Sequence, residues 1–224
     1  MNIILFGLGE IASLAHFYFK NDSKYNVCGF VVDDEYYEST TFNDLPVVKK
    51  SECLSKFPPS EFKAHVALSY SKLNKTRELK YLEMKRMGYE LVSYVCSKSV
   101  FWSDLEIGDN CFILENQTIQ PTVKIGNNVM IWSINHLGHG CIIKDHTYLS
   151  SGIVVSGNTI IGSRTFVGVN SSFKDFISVG DDCFVTMGSV VTKNIPDDST
   201  VIGSDIFEYS SEVNKKLKLK YFGV

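Results

Sequence analysis

From Leu105 to Asn194 the chain divides without insertion into fifteen six-residue units: LEIGDN CFILEN QTIQPT VKIGNN VMIWSI NHLGHG CIIKDH TYLSSG IVVSGN TIIGSR TFVGVN SSFKDF ISVGDD CFVTMG SVVTKN. The third residue of every unit, from Ile107 to Val191, is Ile, Leu or Val, with Phe173 the one exception, and Val95 and Phe101 extend the register backwards. A period of six fits neither a 3.6-residue helix nor a hairpin meander. It suits a parallel β-helix in which each hexad is one short strand and one turn.

A longer period sets the cross-section. Ile107-Gly108-Asp109-Asn110, Ile125-Gly126-Asn127-Asn128, Ile161-Gly162-Ser163-Arg164 and Val179-Gly180-Asp181-Asp182 recur at 18-residue spacing, and Ile143-Lys144-Asp145-His146 fills the gap in the series. Three hexads therefore make one coil of a triangular prism. Residues 18 apart stack at about the 4.8 Å strand spacing, aliphatic third positions fill the interior, and the glycine or polar residues after them turn the corners.

Before residue 90 the pattern is different. Asn2–Gly7 is an apolar run ending at glycine, residues 10 to 20 read as a helix, and Tyr25–Asp34 is a second apolar run ending in acid; His65–Tyr70 reads as a strand and Lys75–Met87 as a helix stopped by Gly88. The expected product is a small parallel sheet flanked by helices, Rossmann-like in its βαβ opening. Gly7-Leu8-Gly9-Glu10-Ile11-Ala12 fits G-x-G-x-x-G/A between that strand and helix, where backbone N–H groups can meet a phosphate, and Asp33 and Asp34 stand about where such a unit carries its ribose-binding acid. The same glycines would also serve a tight turn with no ligand. Ninety residues are too few for two mononucleotide halves, which disfavours dehydrogenase chemistry but not nucleotide binding. Three segments follow: an α/β domain over 1–90, the β-helix over 91–205 and a tail over 206–224.

Composition narrows the partners. Lys and Arg number 22 against 25 Asp and Glu, so no basic field favours nucleic acid or an anionic membrane, and no apolar run of membrane-spanning length occurs. The six cysteines lack zinc-ribbon or C-x-x-C spacing, and the opening residues lack an export signal, which points to reduced, buried thiols and a cytoplasmic protein. The Lys215–Lys220 segment reads as a short solvated helix.

The stretch NHLGHGCIIKDH, residues 135–146, holds His136, His139 and His146. The register separates them. His136 precedes inward Leu137 and so faces outward, at an interface or the edge of a site. His146 occupies a corner slot shared with Asn110, Asn128, Arg164 and Asp182, an ordinary solvated turn. His139 sits at another corner between Pro121 and Gly157 of the neighbouring coils, a base beside a bare backbone amide, as acyl transfer requires. Zinc would need imidazoles that converge, and His139 and His146 lie on different corners; no metal is expected.

With both halves in view, the chain resembles the left-handed β-helix nucleotide-sugar acyltransferases, the PglD- and NeuD-like sugar N- and O-acetyltransferases. The resemblance covers essentially the whole chain. It implies that His139 is the general base for a sugar amine attacking acetyl-CoA and that the Gly157 N–H holds the thioester carbonyl. It also implies that Gly168, Met187 and Gly188 contact the pantetheine arm, and that Gly7, Gly9, Asp33, Asp34, Asn74 and Arg77, with His136, serve the nucleotide-linked sugar. A homotrimer with the site at the subunit boundary is implied as well. Many relatives follow the histidine with Glu, which orients the imidazole. Here that place is Gly140, so either Asp145, Glu115 or a neighbouring chain orients the ring, or the base is weaker. The usual G-x-P-A-K ending is replaced by Val201–Asp205. Two rival functions remain open at this stage: O-acetylation of a sugar hydroxyl, and a non-catalytic trimeric scaffold that binds a nucleotide.

Overall fold

The structure is a computed structural model that describes residues 1–208 and 210–224. It divides into two compact units, one of Met1–Ser69 with Arg77–Tyr94, the other of Tyr70–Thr76 with Val95–Val224. Among the described residues no helix is long and apolar enough to cross a membrane.

In the first unit, β1 (Asn2–Phe6), α1 (Glu10–Asn21) and β2 (Asn26–Val32) form the βαβ opening. Two short strands that the pattern did not suggest follow, β3 (Thr41–Phe42) and β4 (Leu45–Lys49), and then α2 (Cys53–Lys56), β5 (Lys63–Val66) and, from Arg77 on, α3 (Lys75–Arg86). The sheet order is β3-β4-β2-β1-β5, parallel except for the β3–β4 hairpin. The strand order reverses at β1 and β5, so a crevice at their carboxyl ends is where such a sheet takes a ligand. Ile4, Phe6, Val31, Ala64 and Val66 pack against Tyr81 and Met84 of α3.

His65 on β5 is a core histidine. It is 1% exposed, its Nδ1–H donates to Val92 O at 2.9 Å, and its ring meets Phe19 edge-on. Burial, against the Val92 hydrogen bond and with help from the Arg77 charge, lowers its pKa from 6.5 to about 4. The unfolded chain therefore binds a proton between those values that the folded chain does not. Stability should be full above pH 6.5 and fall as pH drops toward 4, by on the order of 3 kcal/mol from this residue. Denaturant melts at stepped pH check this: His65→Leu should flatten the slope between pH 6.5 and 5, above the main carboxylate range.

The second unit is the triangular prism. Its first face stacks Glu106–Ile107, Lys124–Ile125, Ile142–Ile143, Ile160–Ile161 and Ser178–Val179. The second stacks Phe112–Ile113, Met130–Ile131, Tyr148–Leu149, Phe166–Val167 and Phe184–Val185, followed by Thr200–Ile202 and Asp205–Phe207. The third stacks Thr118–Ile119, His136–Leu137, Val154–Val155, Ser172–Phe173 and Val190–Val191. Among the strands of the fifteen hexads pairing is parallel and residue i faces residue i+18, as in Lys124↔Ile142, Tyr148↔Phe166 and His136↔Val154; beyond them Phe184 pairs with Thr200, and Thr200–Ile202 pairs antiparallel with Asp205–Phe207. All third-position side chains from Ile113 to Val191, Phe173 included, lie in one interior core, with Ile107 partly buried at its edge. Val95 packs against that core, and Val100 bridges Thr118 eighteen residues on, so the register does continue backwards through Phe101. Phe101 itself is 43% exposed and is not part of the interior core.

Two further periodicities emerge. The first residue of each hexad also points inward at the corners, and its polar members bond to turn carbonyls: Gln117 to Trp132 O, Thr147 to Gly162 O, Thr159 to Lys174 O and Ser171 to Thr186 O. Cys111, Cys141 and Cys183 take the same slot, their thiols donating to Gly126 O, Ser156 O and Pro196 O, and all six cysteines are free. Burial pushes the Cys183 thiol up to about 11. The sixth residue of each hexad has positive φ, from Asn110 (φ 54) to Gly188 (φ 70). Asn and Gly tolerate that region and explain their frequency there. Ile134 and Phe176 bear it as exposed apolar residues.

The tail departs from expectation. α4 (Glu212–Phe222) begins with Ser211 Oγ accepting from Asn214 N and ends at Gly223 in the left-handed region. Its Asn214–Lys218–Phe222 face is buried. Lys218 Nζ donates to Asp182 O at 2.7 Å and pairs with Asp198, and Phe222 packs on Phe166 and Phe184. The helix is not simply solvated because the second face presents an apolar column, Phe112, Met130, Tyr148, Phe166 and Phe184, on its outer side.

Candidate active site

The corner after the third face carries His139. Strand His136–Leu137 ends in Gly138, and a turn at Gly140 leads inward to Cys141. Gly138 is required by stacking, since a Cβ there would lie 2.7 Å from Gly157 N. The imidazole itself lies against Gly157, where a Cβ would meet Cε1 at 2.6 Å, Nε2 at 2.9 Å and Nδ1 at 3.0 Å. His139 is exposed, and the coils are tied by Asn158 N donating to His139 O at 2.8 Å. Among the described residues no acceptor meets the Gly157 N–H. An accessible imidazole thus sits beside an unoccupied backbone donor.

Neither candidate within the chain for orienting this ring does so. Asp145 stands on the corner after the first face and accepts from Asn127 N at 2.7 Å; Glu115 stands on the corner after the second. The partner is Gln120, whose Oε1 accepts from His139 N at 2.8 Å and lies 3.3 Å from Nδ1. Gly140 has φ +68, and a Cβ there would run into Asn158 Oδ1, so the glutamate of the resembling family has no ready place.

The other two histidines differ. His136 is half-buried on the third face, its backbone in register with Thr118 and Val154. His146 does occupy the expected corner slot but is not solvated. It is 7% exposed, and Asn128 Nδ2 donates to its Nδ1 at 2.9 Å in a vertical ladder that begins at Asn110. Polar stacking at 18-residue spacing withdraws it from water.

Gly168, Met187 and Gly188 lie together on the corner after the second face, which is not the corner of His139. Met187 is 72% exposed, and a Cβ on Gly168 would lie 2.5 Å from Met187 N. Beside them Tyr70, Phe166, Val169, Phe184, Ile202 and Tyr221 line a mostly apolar groove of about 560 Å³. Periodicity missed this groove, although aromatic residues at 112, 148, 166 and 184 share the second hexad position and were the available signal.

In the first unit Gly7 (φ +125) ends β1 where a Cβ would lie 2.8 Å from Ala67 O, while Gly9, which precedes α1, faces open space. Asp33 is clamped: Lys50 Nζ lies 2.6 Å from Oδ1 and Lys80 Nζ 2.8 Å from Oδ2, and both lysines also pair with Glu83. Desolvation would raise the Asp33 pKa, but the two lysines overcome it and hold it below the ordinary value. Asp34 Oδ1 accepts from Ser51 N at 3.0 Å. Arg77 is 2% exposed and donates to Ser69 O; Asn74, in the second unit, is fully buried and donates to Arg164 O. These last two side chains are thus engaged inside the protein.

The fold is that of left-handed hexapeptide-repeat β-helix proteins preceded by an α/β unit. A family profile described as the hexapeptide repeat of succinyl-transferase matches residues 158–193. Among solved structures the chain is similar to PerB from Caulobacter crescentus in complex with CoA and GDP-perosamine (TM-score 0.81, 20% identity, 92% of this chain and 97% of that one). It is also similar to the acetyltransferase domain of PglB from Neisseria gonorrhoeae in complex with acetyl coenzyme A (0.78, 20%, 89% and 94%). A third similar structure is WeeI from Acinetobacter baumannii (0.77, 23%, 92% and 100%). No curated protein sequence matches the chain.

Proposed function

We propose that the protein transfers an acetyl group from acetyl-CoA to an amino group of a nucleotide-linked sugar. The observation that carries the reading is the His139 imidazole laid on Gly157 beside an unoccupied Gly157 N–H. Neighbours of the same fold that bind CoA or acetyl-CoA, and in one case GDP-perosamine, support the ligand class. The amine nitrogen attacks the thioester carbonyl as Nε2 of His139 accepts its proton. The Gly157 N–H stabilises the oxyanion that develops, and collapse of the tetrahedral intermediate expels the CoA thiolate, which is then protonated. The N-terminal unit holds the nucleotide, with Gly7, Gly9 and the Asp33 region at the carboxyl ends of its strands.

One chain carries His139 and Gly157 on one corner and Gly168, Met187 and Gly188 on another. A site that uses both sets is built from two chains, which fits a homotrimer. A neutral Gln120 beside the base, rather than a carboxylate, favours an amine acceptor over a hydroxyl, because an amine needs less help to attack.

Thiol release from acetyl-CoA, measured over a panel of nucleotide sugars with amino or only hydroxyl acceptors, tests this. Release with amino sugars alone is expected. Release with hydroxyl acceptors alone would make the protein an O-acetyltransferase, and nucleotide binding without any release would make it a scaffold. Gly157→Ala is expected to lower kcat by about a hundredfold or more, since the new methyl displaces the imidazole and crowds the oxyanion donor. The same assay reads it, with the melting temperature as the control for folding.

A further inference from the structure

We infer that Gln120 is the positioning residue of His139, setting its tautomer so that Nε2 carries the free lone pair; this rests on the reading of His139 as the base. Two contacts define the geometry. Gln120 Oε1 lies 2.8 Å from His139 N and 3.3 Å from His139 Nδ1. The first decides how the amide is turned, because a backbone N–H requires an acceptor and the amide nitrogen of glutamine cannot be one. With the oxygen thus committed, Nδ1 must face it as N–H. In a neutral imidazole the other nitrogen then bears no proton and can accept one.

The reason this falls to Gln120 lies in the stacking. On the corner after the first face, the backbone N–H at this position is met by a side chain from one coil further on: Asn127 for Asp109, Asp145 for Asn127, Asp181 for Ser163. One coil beyond His139 is Gly157, which has no side chain to offer. Gln120 reaches from the preceding coil instead, and Pro121 beside it has no N–H to compete. A glycine that leaves room for the imidazole and the acyl carbonyl thereby transfers the task of capping His139 to residue 120, where a side chain can orient the ring as well.

The test uses the full chain labelled with ¹⁵N-histidine, in which two-bond nitrogen–proton couplings report the His139 tautomer, together with steady-state kinetics. The native chain is expected to show Nδ1–H. Gln120→Leu should lose that preference and lower kcat by about 10- to 100-fold with little change in KM for acetyl-CoA. Gln120→Glu restores an acceptor and should recover both the tautomer and kcat, which a loss of packing alone would not produce. An Nε2–H tautomer in the native chain would overturn the inference, as would a leucine variant that folds with tautomer and kcat unchanged. If Gln120→Leu does not fold, the glutamate variant decides: failure to hold Nδ1–H counts against the inference. A Gln120-dependent tautomer in a chain that transfers no acyl group would support the placement of the ring and overturn the acyltransfer reading instead.

Discussion

Replacing His139 by alanine is expected to lower kcat for acetyl transfer by about 10²- to 10⁴-fold, the range a positioned general base contributes. The melting temperature should hardly move, because His139 is exposed and its backbone N–H keeps Gln120 as a partner when the ring is gone. His146→Ala supplies the contrast within the same twelve residues. That ring is buried and bonded to Asn128, so its loss should cost stability by about 1–3 kcal/mol while kcat of the folded fraction stays near the native value. Parallel kinetics and thermal melts on the two variants check both expectations. Equal activity in native and His139→Ala protein would remove His139 from the chemistry.

The second large effect concerns the prism interior. Phe173 is 2% exposed and is the sole aromatic residue among the third-position side chains of the fifteen hexads. Phe173→Ala should destabilise the chain by about 3–5 kcal/mol, combining lost transfer free energy with a cavity that rigid stacked coils cannot close. Phe176, three residues on, is 73% exposed and has φ +59. Phe176→Ala should therefore stay within about 0.5 kcal/mol of native, as surface changes do. Denaturant unfolding of both variants measures the difference directly.

Much of the β-helix could be read from one regularity. A third-position aliphatic every six residues and a Gly-polar turn every eighteen are constraints on packing and on φ, so they specify the interior, the three faces and the corner of His139. What escaped has a physical reason in each case. Hexad first positions mix Cys, Thr, Ser, Val, Ile, Gln and Asn because turn carbonyls satisfy their polar atoms, and hydrophobicity does not mark them as buried. His146 carries the chemistry of a surface residue, but its burial follows from a ladder with Asn128 that exists only once coils stack. The α4 helix looked solvated because its lysines dominate the composition, whereas an i, i+4, i+8 face of Asn214, Lys218 and Phe222 meets the prism. Phe101 keeps the register, as the Val100–Thr118 bridge shows, yet its side chain is exposed. Gln120 could not be singled out along the chain, since its role depends on the coil beyond His139 offering only glycine.

The first unit was legible as βαβ through its glycines and the acids that close β2. The Lys50–Asp33–Lys80–Glu83 cluster was not, because its members come from three separate places in the sequence, Asp33, Lys50 and the Lys80–Glu83 turn of α3. Its consequence is that Asp33 approaches any ligand as part of a neutralised group rather than as a bare carboxylate.

The proposed reaction is transfer of acetyl from CoA to a sugar nitrogen at the His139 corner. Its most direct test is to supply acetyl-CoA labelled with ¹³C at the acetyl carbonyl, together with a nucleotide amino sugar, and to follow the label by NMR. An amide carbonyl on the sugar nitrogen, formed by the native chain and suppressed in His139→Ala, is the predicted result. Label that remains on CoA, passes to a sugar oxygen or accumulates as free acetate would contradict it.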